Sequence, residues 1–324
     1  PSGLPSGSYQ AQAIAYDPKT SICTFGINAG STIAIKTYRM TSSGFGTQLS
    51  DGPTLSLLPT SFTFHPTLPI VVVGLGNSSP YLRAYTFDDN GWGAALPNAA
   101  PSTPPAREGQ NRGIWLDGGS AFIYAHVNSP FIAAYAFSSS GFGTKYANPA
   151  TLPINSGSAI TRNTAGTKVV HANLSTAPYG CCYLWNSGFG TRTTGNNLGT
   201  STISNVFLHP SGTMLTSVAA GAIRNFSWNE SVSPYFGSQI DSTGYGTAPD
   251  TYRQGDVDSE GTDIVVGVTT SPYVKAYGLS ASGIGSLYSN PVSLPNAGPR
   301  QTIFVSLPAP FKKWLPVLPY RNNA

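Results

Sequence analysis

A Gly–aromatic–Gly triplet returns along this chain at a nearly constant step. It reads Gly44-Phe45-Gly46, Gly91-Trp92-Gly93, Gly141-Phe142-Gly143 and Gly188-Phe189-Gly190, with weaker copies at Tyr235-Phe236-Gly237 and Gly283-Ile284-Gly285. The steps between first positions are 47, 50, 47, 47 and 48 residues. A period of this size marks an array of one supersecondary unit, too small to bury its apolar face alone. The Gly-Tyr-Gly at Gly244 falls off the register and reads as part of an insertion.

Each unit carries the same internal order. A short alternating run comes first, as in SFTFHP from Ser61 and NVFLHP from Asn205. A tight turn follows, such as Pro210 to Thr213, and then a continuous apolar run: IVVVG from Ile70, AFIYA from Ala121, IVVGV from Ile264. Next come aromatics on alternate positions, and last a looser segment ending in Leu-Pro. The runs have strand length and are bounded by Gly, Pro, Ser or Asn. No helical periodicity persists along the chain. Four strands in about 48 residues is the pattern of a β-propeller blade.

In the phrase SPFIAAYAFSSSGFGTKYANPATLP, from Ser129, SPFIAAYAF is expected to be a third strand and SSSGFG the hairpin turn after it. The ring between the glycines is expected to pack on a neighbouring blade, and KYANPATLP to form the outermost strand. First strands are expected near Gln12, Ser61, Arg112, Ser158, Asn205, Gln254 and Gln301. The count predicts one all-β domain over residues 1–324: a seven-bladed propeller of four-stranded antiparallel blades, with six blades as the alternative. The N-terminal segment matches the stretch before Gln301, so the N- and C-terminal segments are expected to share the last blade. The N-terminal strand would then close the ring against residues 300–320 and cover an open edge.

Composition narrows the function classes. Charged residues are 9% of the chain, against roughly 25% in an average globular protein. Gly and Pro are abundant, yet 40% of residues are apolar and 11% aromatic, which argues against disorder. A net charge of +4, with Lys312-Lys313 the one adjacent basic pair, gives no footprint for nucleic acid. Three cysteines, Cys23, Cys181 and Cys182, exclude a disulfide framework. No apolar run reaches the length of a membrane helix, so membrane insertion is not expected.

The phrase from Ser129 to Pro153 resembles the WD40-like, YncE-like propeller repeats predicted in bacteriophage and bacterial proteins. The likeness extends from Ala11 to about Val317. It implies a propeller fold, a virion or tail-associated role, a virion or extracellular location, and other virion or surface proteins as partners. It carries no catalytic residues. A lectin-like propeller binding a glycan is the alternative, and a propeller lyase or hydrolase is a third reading.

Several constellations are candidates for a site. In GDVDSEGTDIVVG the carboxylates Asp256, Asp258, Glu260 and Asp263 surround Gly261 and suit calcium, a hard cation that takes oxygen ligands. The same stretch aligns with turns such as HPSGTM, so a simple turn competes with it. No other cofactor is expected. Asn111, Arg112, Asn205, Arg253, Gln254, Arg300 and Gln301 lie at or beside the entries to first strands and are expected to encircle one mouth of the channel. The longest connections, from Pro97 and from Ile240, reach the same face, where loops on a rigid scaffold carry binding. Third-strand positions Lys36, Arg83, Arg224 and Lys275 are basic, with Ala133 and Cys181 equivalent to them; each precedes an aromatic by two. That spacing gives either a basic ring or stems packed between aromatics. Cys181-Cys182 replaces Ala133-Ala134 and reads as a small buried pair. His65 and His209 share one repeat position, and His126 and His171 another, so a ring should hold them apart. Asp88, Asp89 and Glu108 read as solvated. No nucleophile elbow or phosphate loop is present.

Overall fold

The computed structural model describes residues 10–29, 32–41, 44–76, 81–97, 113–173, 177–195, 197–199, 202–219, 221–244, 255–267, 274–280, 282–289, 301–306 and 312–317. Blade 1 is β1 (Gln10–Asp17), β2 (Ile22–Ala29), β3 (Thr32–Thr41) and β4 (Gly44–Gln48). Blade 2 is β5 (Pro59–Phe64), β6 (Ile70–Leu75), β7 (Leu82–Asp88) and β8 (Gly91–Ala95). Blade 3 is β9 (Ile114–Leu116), β10 (Ala121–Ala125), β11 (Ile132–Ser138) and β12 (Gly141–Lys145). Blade 4 is β13 (Gly157–Arg162), β14 (Lys168–Asn173), β15 (Gly180–Trp185) and β16 (Phe189–Thr193). Blade 5 is β17 (Ile203–Leu208), β18 (Met214–Ala219), β19 (Ala222–Trp228) and β20 (Phe236–Gly244). Blade 6 is β21 (Gly255–Val257), β22 (Asp263–Gly267), β23 (Val274–Ser280) and β24 (Gly283–Leu287). Each blade is an antiparallel meander in chain order.

Among the described residues the expected seventh blade is not formed. β25 (Gln301–Ser306) and β26 (Lys312–Val317) make a two-stranded sheet, so the protein has six four-stranded blades rather than seven. β26 contains Pro316, paired opposite Thr302. Proline has no N–H to donate, which confines such a strand to an edge. It cannot serve as a second strand, which must bond on both sides. Every second strand of the six blades is free of proline. β25 lies beside β1 on one side and β21 and β22 on the other, so the small sheet completes the circuit. No N-terminal strand joins it among the described residues: β1 is the first strand of blade 1, and residues 1–9 lie outside them.

The core is divided among the seams between neighbouring sheets. Second strands β6, β10, β14 and β18 are buried at every position. A strand covered on both faces reads as an unbroken apolar run. Its residues alternate between two seams. In blade 3, Phe122, Tyr124, Tyr135 and Phe137 pack with Ile70, Val72, Leu82 and Ala84 of blade 2. The intervening Ala121, Ile123, Ala125, Ile132 and Ala134 pack with Val169, Tyr183 and Trp185 of blade 4. Tyr85 and Phe87 likewise meet blade 1, Phe226 and Trp228 meet blade 4, and Tyr277 meets blade 5. Each of blades 2 to 6 thus lays an aromatic face on the smaller aliphatic face of the blade before it.

This also explains the recurring triplet. Gly91 opens the outer strand β8 with φ 97°, a region that favours glycine. Trp92 turns into the seam, edge-on to Tyr85 and Phe87 of its own blade, and its Nε1 donates to Thr37 Oγ1 of blade 1 at 2.8 Å. A Cβ on Gly93 would meet Thr86 Oγ1. The third and fourth strands pair through a register shift in all six blades. The turn within SSSGFG is Ser139-Ser140, and the triplet after it opens the outer strand. The ring reaches the neighbouring blade as expected, and it also packs on its own blade's aromatics. After Lys145 the chain leaves the sheet, so KYANPATLP is mostly connection. Gly244, expected within an insertion, ends β20, an outer strand of nine residues.

Ala134 has no exposed surface, so Ala134→Leu should overpack the seam between blades 3 and 4 and cost about 1–3 kcal/mol. Tyr135→Ala should cost about 3–5 kcal/mol through its cavity. Thr144→Ala on an exposed outer-strand position should stay within about 0.5 kcal/mol. Chemical denaturation reads all three.

Candidate functional site

A meander of four antiparallel strands sorts its connections between two faces of the ring. Links from strand 4 to strand 1, and from strand 2 to strand 3, share one face. The strand 1–2 and 3–4 turns share the other.

The expected mouth lies on the first face. Of its residues, Asn111, Arg112, Arg253, Gln254 and Arg300 lie outside the described residues, as does the side chain of Gln301. Asn205 is described and buried at a register shift in β17. Its Oδ1 accepts from Val206 N at 2.9 Å, and its Nδ2 donates to Gly255 O of blade 6 at 2.9 Å. The amide therefore joins two blades. Ser61 and Ser158, at the equivalent entries, are buried as well.

The second face holds an organised set of polar residues. Asp17 ends the first strand of blade 1, and His65, Asp117, Asn163, His209 and Asp258 each follow the first strand of a blade. Five of them turn the side chain onto their own 1–2 turn. Asp17 accepts from Lys19 N and Thr20 Oγ1. His65 Nδ1 accepts from Leu68 N at 2.9 Å, and Asn163 Oδ1 from Lys168 N at 2.8 Å. His209 Nδ1 accepts from Ser211 N at 3.1 Å. Asp258 accepts from Thr262 N at 2.7 Å, Asp263 N at 3.0 Å and Thr262 Oγ1 at 3.0 Å.

The same level also carries bonds from blade to blade. Lys19 Nζ donates to the carbonyls of His65 and Leu68. His65 Nε2 donates to Gly119 O at 3.1 Å, and Trp185 Nε1 to Asp117 Oδ2 at 3.0 Å. Asn163 Nδ2 donates to Glu230 Oε2 at 3.0 Å, and His209 Nε2 to Gly261 O at 2.7 Å. Each histidine faces a carbonyl with Nε2 and accepts an N–H with Nδ1, which fixes the neutral tautomer. Burial lowers the His65 pKa and the Lys19 charge adds to it, against the Gly119 carbonyl. Five successive seams thus have a hydrogen bond at one rim. The sequence aligns His65 with His209, and the Asp258 turn with the His209 turn, without showing that the first residue of each turn does the same work. The signal was available in Asp17, Asp117, Asn163 and Asp258, which hold that position in the other blades.

Asp258 belongs to this turn series, and its two carboxylate oxygens take three turn donors. Glu260 is exposed, and Asp256 and Asp263 are half-buried. Among the described residues, no three His, Cys, Asp or Glu side chains come together to hold a metal.

The basic third-strand positions differ in setting. Lys36 pairs with Asp51 at 2.6 Å, Arg83 is exposed, and Arg224 and Lys275 are half-buried. Ala133 and Cys181 are buried in seams. Cys181 and Cys182 point to opposite faces of β15, into the seams toward blades 3 and 5 respectively. Burial pushes the Cys181 thiol up to about 11 and raises Cys182 further. Thiols held protonated are poor nucleophiles. Asp88 accepts from Asn90 N in its turn, and Glu108 lies outside the described residues. His126 and His171 are brought together, against expectation. His171 sits at the strand position of Tyr124, on the face that meets the preceding blade, where His126 follows β10.

No protein-family model matches the chain. No curated protein matches it either. Solved structures do. A functionally unknown protein from Desulfotomaculum acetoxidans DSM 771 superposes with TM-score 0.66 at 14% identity, over 91% of this chain and 88% of that one. A protein described as a candidate 6-phosphogluconolactonase from Bacteroides uniformis gives TM-score 0.64 at 11% identity, over 86% and 83%. The β-propeller domain of Cps50 (Swd1) from Myceliophteria thermophila gives TM-score 0.61 at 11% identity, over 93% and 91%. The likeness establishes the fold: this protein is a β-propeller, similar in architecture to WD40-type rings.

Asn163→Ala removes turn and seam bonds together, and should lower stability by about 1–3 kcal/mol in a denaturant titration. Because the Asp258 carboxylate is occupied by its turn, melting should be the same in millimolar calcium and in EGTA. A higher melting temperature in calcium would instead assign Asp256, Asp258, Glu260 and Asp263 to a cation.

Proposed function

We propose that this protein is a non-enzymatic binding propeller, carried on a phage virion as an appendage or decoration. It attaches to other virion proteins or touches the host surface. One observation supports the non-enzymatic part above all. The polar residues of the rim are engaged in the scaffold, where aspartates, asparagine and histidines close turns and seams, and the three thiols are buried. Fold alone assigns no activity. The resemblance of the repeat phrase from Ser129 to phage-encoded propeller repeats supports the virion assignment. The strand-entry face, with its longest sequence insertions, is the surface through which attachment would occur.

The lactonase described among similar structures lends only its architecture at that identity. Quantitative mass spectrometry of particles purified from the protein's source should find it at a fixed copy number per particle. Absence from particles would overturn the virion role. Turnover of 6-phosphogluconolactone above background would overturn the non-enzymatic reading.

A further inference from the structure

The connection from β10 to β11 is fastened across the seam to blade 4. Its residues run from His126 to Phe131. His126 N donates to Phe131 O at 2.9 Å, which closes the connection on itself. Gly157 N of blade 4 donates to His126 O at 3.0 Å, and Ser156 Oγ to Val127 O at 2.9 Å. His171 Nε2, on β14, reaches the same Phe131 carbonyl at 3.2 Å. One carbonyl thus receives both histidine residues, one through its backbone and one through its ring.

Both imidazoles have no exposed surface. A carbonyl only accepts, so His171 Nε2 carries the proton and Nδ1 is bare. His171 Nδ1 and both ring nitrogens of His126 have no hydrogen-bond partner among the described residues. The carbonyls of Ile132 and Asn128 approach the His126 ring without reaching bonding geometry. The groups facing the pair are Lys145 from β12, the two histidines themselves, the Tyr124 ring 5.2 Å from His126, and the protonated Cys181 thiol opposite His171 on β15. None is an anion. A proton added at either bare nitrogen would create a buried cation beside another basic group, with no counter-charge.

We propose that this seam is an acid-opened latch: neutral His126 and His171 hold the 126–131 connection against blade 4, and protonation of the pair releases it. Burial, with Lys145 acting on His126 and His126 on His171, lowers both ring pKa values to about 4. The unfolded reference is about 6.5. A lowered pKa means the folded form prefers the neutral ring. The contribution to stability is complete above the unfolded value and is lost as pH falls toward the folded one. The other histidines sit differently, since His65 and His209 each have both ring nitrogens partnered.

Hydrogen exchange of the intact chain, compared between neutral pH and about pH 4.5 and corrected for intrinsic rates, tests the latch. Amides of residues 126–131 and 157–162 should lose protection by at least about tenfold, while those of β5 and β6 keep theirs. In the double variant His126→Leu, His171→Gln that loss should disappear. Uniform loss around the ring, or the same local loss in the variant, would overturn the proposal. If the variant does not fold, imidazole C–H titration of the unmodified protein decides. Both rings should titrate below about pH 5 in the folded state, and either one titrating near 6.5 would overturn the latch.

Discussion

The structure depends on the packing of an aromatic face on a small aliphatic face, repeated from blade to blade. A sheet of four short strands has two faces to bury and no core of its own. It becomes stable only when a neighbour covers each face. Tyr135 and Phe137 need the aliphatic surface of Ile70 and Val72. Tyr183 and Trp185 need that of Ile123 and Ala134. Closing the circuit supplies each described blade with both neighbours, and the small sheet of β25 and β26 fills the remaining interval.

Packing of flat faces is non-directional, so it leaves sliding between blades poorly specified. Hydrogen bonds at the rim supply direction. Lys19, His65, Trp185, Asn163 and His209 each bond across one seam, and the partner is a main-chain carbonyl or a carboxylate. These bonds need polar residues at a fixed place after each first strand. Charge is little used elsewhere, which fits a chain whose charged fraction is 9%. The polar residues that remain legible as chemistry are therefore mostly architectural.

The repeat made the fold legible because each blade solves the same packing problem with the same alternation. The apolar runs at Ile70 and Ala121 and the aromatics at Tyr85 and Tyr135 fell on the strands expected. The last blade was misjudged because β25 repeats the first-strand pattern, while Pro316 denies β26 a central place. The rim series was hidden because Asp, His and Asn do the same work there and do not align by type. The approach of His126 to His171 was hidden for another reason. Equivalent places on a ring are far apart, but a two-residue offset across one seam is not. Of the proposed mouth, only Asn205 is described with its side chain, and it binds another blade.

Native-state hydrogen exchange at neutral pH tests the central claim most directly. If the seams hold the ring as one cooperative unit, the slowest amides should lie in the second strands β6, β10, β14, β18 and β22 and should share a single opening free energy equal to that of global unfolding. Two groups of blades exchanging with clearly different free energies would show separate cores and contradict the account.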